Sequence, residues 1–328
     1  MSVDQATERD SPLRPVTATA PAASAARTAR SGAAFARAMP WLFVVIWSTG
    51  FVVARLAMPH APPFGFLTMR FALSAVCLMV WIAVSGAAWP NGRGQWLHLA
   101  VVGVLMQAAY LGGVWSAVKS GLGAGTAALL VGLQPVLTAL WLTRSAEARG
   151  ASSVAARQWL GLVLGFAGLG LVVWRKLGGE VTPANLAMAT IALIGITTGT
   201  LYQKRFLEPC DVRTASAVQM VAAFFVCLPL ALLESEPMVW HLDLVLAMAW
   251  SVGVLTLGGS SLLYLLIQRG EATAVTSLLY LVPPCTALMA WLLFGESLTL
   301  LMMAGVALTV VGVALVVRPA EEVKERPT

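Results

Sequence analysis

The sequence predicts an all-α integral membrane protein of ten transmembrane helices, arranged as two five-helix repeats of inverted topology. Three observations predict it. Of 328 residues, 59% are hydrophobic and only 11% charged, against about 25% charged in soluble domains, so water is not the main solvent. Ten apolar runs follow one another from Pro40 to residue 317, each near the roughly 20 residues that cross a hydrocarbon core about 30 Å thick. Finally, the two halves of the chain register on each other at one offset.

Residues 1–38 are rich in Ala, Ser, Thr, Pro and Arg and hold one aromatic, Phe35. Such a segment buries too little apolar surface to offset its ordering entropy, and a disordered cytoplasmic tail is expected. No apolar region precedes the first span, so no signal peptide is expected. The spans run near 41–58, 64–85, 97–116, 124–143, 158–174, 184–203, 214–233, 243–266, 273–294 and 299–317. Pro135 and Pro284 interrupt the fourth and ninth, where they remove a helical hydrogen bond and kink the helix. Trp41, Trp89, Trp96, Trp159, Trp174 and Trp240 fall near span ends, as interfacial anchors do.

Lys and Arg set the orientation. With the N-terminus inside, sixteen of them fall on inner segments, among them Arg93, Arg144, Arg149, Arg157, Lys204, Arg205, Arg213 and Arg269, and only Arg55, Lys119, Arg175 and Lys176 fall outside. This asymmetry predicts a multi-pass protein of a cell inner membrane with both termini cytoplasmic. The net charge of +6 is thereby explained by topology, and no nucleic-acid partner is expected. Cys77, Cys210, Cys227 and Cys285 form no CxxC pair, so neither disulfide nor metal site nor cofactor is expected.

A shift of 149 residues brings Gly50 onto Gly199, Arg55 onto Lys204, Gly121 onto Gly270, Pro135 onto Pro284 and Glu147 onto Glu296. Past Glu147 the shift becomes 144, with Gly161 on Gly305 and Gly168 on Gly312. The repeats therefore cover 39–175 and 183–318, with 319–328 left as a cytoplasmic tail. Five spans per repeat make the second enter the membrane upside down, and such repeats place a site between them near the midplane.

The Trp47-Ser48-Thr49-Gly50-Phe51 opening, Met69-Arg70-Phe71 in the second span, and Leu293-Phe294-Gly295-Glu296 followed by Gly305 resemble motifs of the drug/metabolite transporter superfamily, specifically its EamA-type members. The resemblance spans about residues 40–318. It implies two five-helix inverted repeats around a central cavity, with the fifth and tenth helices peripheral, and export of amino acids, other metabolites or drugs. Repeat one departs from the pattern with Ser145-Ala146-Glu147, and repeat two has Gln219 opposite Arg70.

Arg70 is the most informative residue. An Arg at membrane depth costs about 2.5–3.5 kcal/mol on insertion scales, so it is paired, functional or snorkelling, and no Asp or Glu lies inside any span, Asp243 standing at the very end of the eighth, to pair with it. It is expected to receive a substrate carboxylate. Other polar or aromatic groups at helical spacing complete the expected cavity: Trp47 with Gly50, Gln107 with Tyr110, Thr197 with Thr200 and Lys204, Ser261 with Tyr264, and Ser277 with Tyr280. The plainer alternative for each Ser or Thr is a bond to its own helix backbone or to a neighbouring helix. Gly161 with Gly165, and Gly121 with Gly125, are small-residue packing pairs; packing within the chain competes with a homodimer seam along the fifth helix. Glu296 is expected to sit at the positive N-terminus of the tenth helix.

The expected function is therefore a secondary transporter, an exporter of an amino acid or other carboxylate-bearing metabolite, working by alternating access with the lipid bilayer and a small-molecule substrate as its partners. Efflux of drugs or cationic compounds is the alternative. An intramembrane enzyme would need a nucleophile–base pair or metal cluster at depth, and no HExxH, Asp pair or midplane His appears. A non-transporting scaffold is the remaining reading.

Overall fold

The computed structural model describes residues 20–147, 156–176, 179–259, 262 and 281–317. All regular elements among them are helical. The chain divides into two compact units, Met1–Met39 and Pro40–Thr328. Helix α1 (Ala20–Ala57) supplies the described part of the first unit, residues 20–39, and opens the second. The expectation of disorder up to residue 38 is thus corrected from Ala20 onward, because this stretch is alanine-rich and alanine is the strongest helix former.

The second unit continues with α2 (Pro63–Ser85), α3 (Arg93–Lys119), α4 (Ala124–Val131), α5 (Gln134–Glu147), α6 (Ala156–Lys176), α7 (Pro183–Phe206), α8 (Val212–Leu233), α9 (Leu242–Gly258), α10 (Val282–Phe294) and α11 (Leu300–Val317). Four of these (α2, α3, α7 and α8) are long and apolar enough to cross a membrane, and six shorter apolar helices accompany them among the described residues. The fourth expected span is two helices: Gly132 and Leu133 separate α4 from α5, and Pro135 stands in the first turn of α5, where its missing N–H costs nothing. Most of the ninth span's first half, 273–280, lies outside the described residues.

Sequence explains the helix ends. Pro63 and Pro183 occupy first helical positions, Thr182 and Asn185 form a reciprocal capping box, and Asp211 caps α8. Gly86 closes α2 at φ 63°, a left-handed conformation that glycine reaches without a Cβ clash. Gly121 takes φ 94° in the turn before α4, so the expected Gly121–Gly125 packing pair is corrected: only Gly125 lies within a helix, against Ala287 of α10.

Without a hydrophobic force between helices in lipid, close packing of small residues holds them. A Cβ on Gly168 would lie 2.5 Å from Gly305 O, and one on Gly312 would lie 2.5 Å from Gly161 O. The later residue of α6 meets the earlier residue of α11, so these two helices run antiparallel, and the Gly161 face is taken up within the chain. The same crossing recurs elsewhere. Gly125 meets Ala287 while Gly132 meets Pro283, which sets α4 antiparallel to α10. Gly113 meets Met188 and Ala192 while Gly199 meets Met106, which sets α3 antiparallel to α7. The core between them holds Phe66 stacked on Trp115 at 4.5 Å, with Phe71, Leu67 and Leu78 fully buried. Large apolar residues face outward instead of polar ones, among them Val84 (83% exposed) and Leu300 (85%), as a lipid-facing surface requires.

Polar contacts gather at the helix ends. The Glu234 carboxylate accepts from the N–H groups of Phe64 and Gly65 (3.1 and 2.8 Å), and that of Glu296 from Ala124 and Gly125 (2.9 and 3.4 Å). Glu296 therefore serves a helix N-terminus as expected, but that of α4 and not that of α11. Glu180 accepts from Gly123 N–H at 2.6 Å and pairs with Lys176 at 2.6 Å, while Lys119 pairs with Glu236. At the other ends of these helices, Gln95 exchanges hydrogen bonds with the Glu208 backbone, Asp211 pairs with Arg213 at 2.6 Å, and Thr214 donates to Ala88 O. Trp96, Trp159 and Trp174 lie near helix ends as expected, with Trp89 and Trp240 in adjoining loops and Trp89 stacked on Trp96, whereas Trp41 falls inside α1.

Candidate substrate site

Arg70 lies two turns into α2, on a helix whose other side chains are uncharged. It is only 6% exposed, and its Nε has no hydrogen-bond partner among the described residues. No carboxylate pairs with it there either. A buried guanidinium with a free N–H donor is costly unless something completes it. The phenol of Tyr110, itself 6% exposed, lies within electrostatic reach of the guanidinium.

Tyr110 is placed by a departure from α-helical geometry. Residues Val104–Ala109 of α3 form a π-helical turn immediately before it. Close approaches crowd this turn on two sides: a Cβ on Gly103 would lie 2.5 Å from Gln219 O of α8, and one on Gly195 of α7 3.0 Å from both Leu105 O and Tyr110 N. A second π-helical stretch, Ser251–Gly258, lies in α9. Adding the repeat offset of 149 to Val104–Ala109 gives 253–258, so both π turns occupy equivalent positions. Such turns widen the helix, free backbone groups, and occur often at functional sites.

Both turns meet α2. Ser74, one turn beyond Arg70 on the same face, donates to Thr256 Oγ1 at 3.3 Å, and Thr256 donates to Ser251 O at 3.0 Å inside the second π turn. Ser251 Oγ is buried without a partner among the described residues. The face of α2 that carries Arg70 and Ser74 is thus turned toward Tyr110, which follows the first π turn, and toward Thr256 of the second. The periodicity argument missed Ser74 and Thr256, although the i, i+4 spacing from Arg70 was a readable signal for the first.

The other expected residues divide. Gln107 is half-buried in the first π turn, and Trp47 is half-buried against Phe43. Thr197 donates to Leu193 O at 2.6 Å, the plain backbone alternative. Thr200 bonds Ile196 O in the same way but also accepts from Gln134 Nε2 at 3.0 Å, tying α7 to the first turn of α5. Helix α1 is fixed through Ser48, whose carbonyl accepts from Thr286 at 3.3 Å. Tyr264, Ser277 and Tyr280, with Ser261, fall outside the described residues. A groove of about 490 Å³ runs between α5 and α7, lined by Leu137, Trp141, Arg144 and Thr197. It does not reach Arg70, and its apolar lining is that of a lipid-facing crevice.

The model of the EamA-like transporter family matches this chain twice, over residues 38–174 and 184–318. The chain belongs to that family. Its EamA-like relatives include the Bacillus subtilis transporter YvbV, 25% identical over 83% of this chain and 88% of the relative, and the Escherichia coli K12 inner membrane transporter YedA, 26% identical over 83% and 87%. A Salmonella typhimurium relative named as a probable amino-acid metabolite efflux pump is 24% identical over 83% of this chain and 91% of its own. A crystal structure 19% identical, covering 86% of this chain and 98% of that one, superposes with a TM-score of 0.60 and shares the fold. The two family matches cover the two repeats read from the glycine, proline and glutamate register. This EamA-like protein is a membrane transporter, and its family and relatives are transporters, not enzymes.

Proposed function

We propose that this protein is a secondary transporter that exports a small carboxylate-bearing metabolite, amino acids included, by alternating access between two five-span repeats of inverted topology. One observation carries the substrate class: Arg70 is buried beside Tyr110 with an unfilled N–H donor and no acidic partner among the described residues. A carboxylate is the group that a guanidinium fork binds best, through two charge-assisted hydrogen bonds. In this reading Tyr110, Gln107 and Ser74 supply directional groups beside Arg70, with Trp47 and Thr200 as further cavity groups.

The antiparallel crossing of α6 with α11 supports inverted repeats, since it pairs equivalent helices of the two halves. The sixteen-to-four distribution of Lys and Arg supports a ten-span path with both termini cytoplasmic in the inner membrane. The name of the Salmonella relative favours efflux over uptake. Efflux of cationic drugs is the second reading; it would call for an acidic group at membrane depth, and the ten apolar runs hold no Asp or Glu beyond Asp243 at the outer end of the eighth.

Flux tests the proposal. Purified protein in proteoliposomes is expected to move at least one member of a panel of amino acids and organic acids, and Arg70→Ala, inserted normally, is expected to move none. Undiminished flux in Arg70→Ala would remove Arg70 from the site. Transport of cationic compounds alone would favour the second reading.

A further inference from the structure

Three metal-ligating side chains that lie 183 residues apart in sequence meet where the loop before α2 touches the start of α9. The Nε2 of His60 is 3.6 Å from Asp243 Oδ2, and the Nδ1 of His241 is 3.3 Å from the same oxygen. One donor atom from each of the three lies within 4.8 Å of the other two. We propose that His60, His241 and Asp243 form a binding site for a divalent transition metal of the zinc type, bridging the two repeats.

The spacing fits the ion. A tetrahedral Zn²⁺ with bonds of about 2.0–2.1 Å holds neighbouring donors about 3.3 Å apart, and two of the three separations already approach that edge. Two imidazoles and one carboxylate suit zinc better than calcium or magnesium, which prefer all-oxygen shells. Three protein ligands leave the fourth position to water, and all three side chains are partly exposed (23%, 56% and 41%), so the ion has an aqueous route in.

The ligands are also held in place. The Val239 N–H donates to His60 O at 2.8 Å, fixing one loop against the other. The imidazoles of His60 and His241 stack at 4.6 Å with their planes 15° apart. The Asp243 N–H lies 3.3 Å from His241 Nδ1, a long cap bond that an ion taking the Nδ1 lone pair would displace. The plainer account is a helix cap: His241 caps α9 and Asp243 occupies its first turn. That account does not need His60, whereas the metal site does.

His60 belongs to the first family match and His241 with Asp243 to the second. A bound ion would therefore tie the repeats at the face that the charge distribution assigns to the outside. That consequence rests on the alternating-access reading, which would have the repeats part at this face; the binding site itself does not.

Isothermal titration of tag-free protein with Zn²⁺ tests the site. The expected result is one ion per chain with roughly micromolar affinity, weakened about tenfold or more in His60→Ala and in His241→Ala. His98→Ala, the remaining histidine, is expected to leave it unchanged. Co²⁺ is expected to give the intense visible bands of a tetrahedral site in the unmodified protein and to lose them in His60→Gln, a variant that preserves size. Absence of Zn²⁺ binding, or binding indifferent to both His60 and His241, would overturn the proposal. In proteoliposomes, Zn²⁺ is expected to slow flux of the unmodified protein but not of His60→Ala; Zn²⁺ bound at these residues without an effect on flux would overturn the clamp and leave the site.

Discussion

Glu296 and Ala124 meet across 172 residues: the carboxylate of the former accepts the backbone N–H of the latter at 2.9 Å. Glu234 treats Gly65 in the same manner at 2.8 Å. In both cases a carboxylate from the second family match satisfies an orphan donor, and faces the positive end of a helix, in the first. Replacing Glu296 by Ala, or Glu234 by Ala, is expected to lower stability by about 1 kcal/mol, as loss of a helix cap does. Thermal unfolding in detergent reads this, with Glu→Gln variants falling between, since the amide keeps an acceptor but not the charge.

Glycine substitutions should separate packing from propensity within a single helix. A methyl group on Gly168 would lie 2.5 Å from Gly305 O and 2.6 Å from Thr309 Oγ1, whereas one on Gly170 would meet nothing within 4 Å. Gly168→Ala is expected to cost about 1–3 kcal/mol by overpacking, or to abolish accumulation of folded protein. Gly170→Ala is expected to stay within about 0.5 kcal/mol of the parent. The same thermal assay distinguishes them.

Acid should weaken the junction between α2 and α8. Hydrogen bonds from Arg213 hold the Asp211 carboxyl below its usual range, and the Arg213 guanidinium also lies over the Trp81 ring at 5.7 Å. A depressed folded value means that the contribution is present above the ordinary carboxylate range and is lost as pH falls through the depressed one. Asp211→Asn keeps the cap but not the charge, so it is expected to be less stable than the parent by up to about 1 kcal/mol near neutral pH. That difference should shrink toward acid. Melting curves of both proteins across pH 3–7 check the sign.

At Arg70, charge and fork geometry can be told apart. Lysine keeps the charge but cannot offer two parallel donors to a carboxylate. Arg70→Lys is expected to retain flux with an apparent KM raised about tenfold, which corresponds to about 1.4 kcal/mol of lost binding. Tyr110→Phe is expected to raise the apparent KM severalfold, the scale of one hydrogen bond. Equal KM values in all three proteins would argue that this wall does not touch substrate.

Much of this was legible in the residues. Hydropathy located the helices, and the 149-residue register that pairs Pro135 with Pro284 and Glu147 with Glu296 anticipated the two family matches. The polar side chains were less legible. Thr197 proved to bond its own backbone, and Glu296 chose the N-terminus of α4 over the nearer one of α11, because a partner across the fold is set by packing and not by chain distance. The π turns at Val104–Ala109 and Ser251–Gly258 left no local signature; the first is crowded by glycine contacts with α7 and α8, which only the tertiary fold brings there. His60 and Asp243 came together for the same reason, through tertiary contact alone.

Inverted insertion can be read directly from side accessibility. Arg144 in the last turn of α5 and Ser297 in the loop before α11 mark the fourth connections of the two repeats, and Ser235 lies in the loop before α9; all three are exposed. Single cysteines at these positions, in a background lacking Cys77, Cys210, Cys227 and Cys285, are labelled in intact cells with a membrane-impermeant maleimide. Cysteines at 235 and 297 are expected to react from outside, and the one at 144 only after permeabilisation. Labelling of 144 and 297 from the same side would contradict inverted repeats and, with them, the alternating-access carrier.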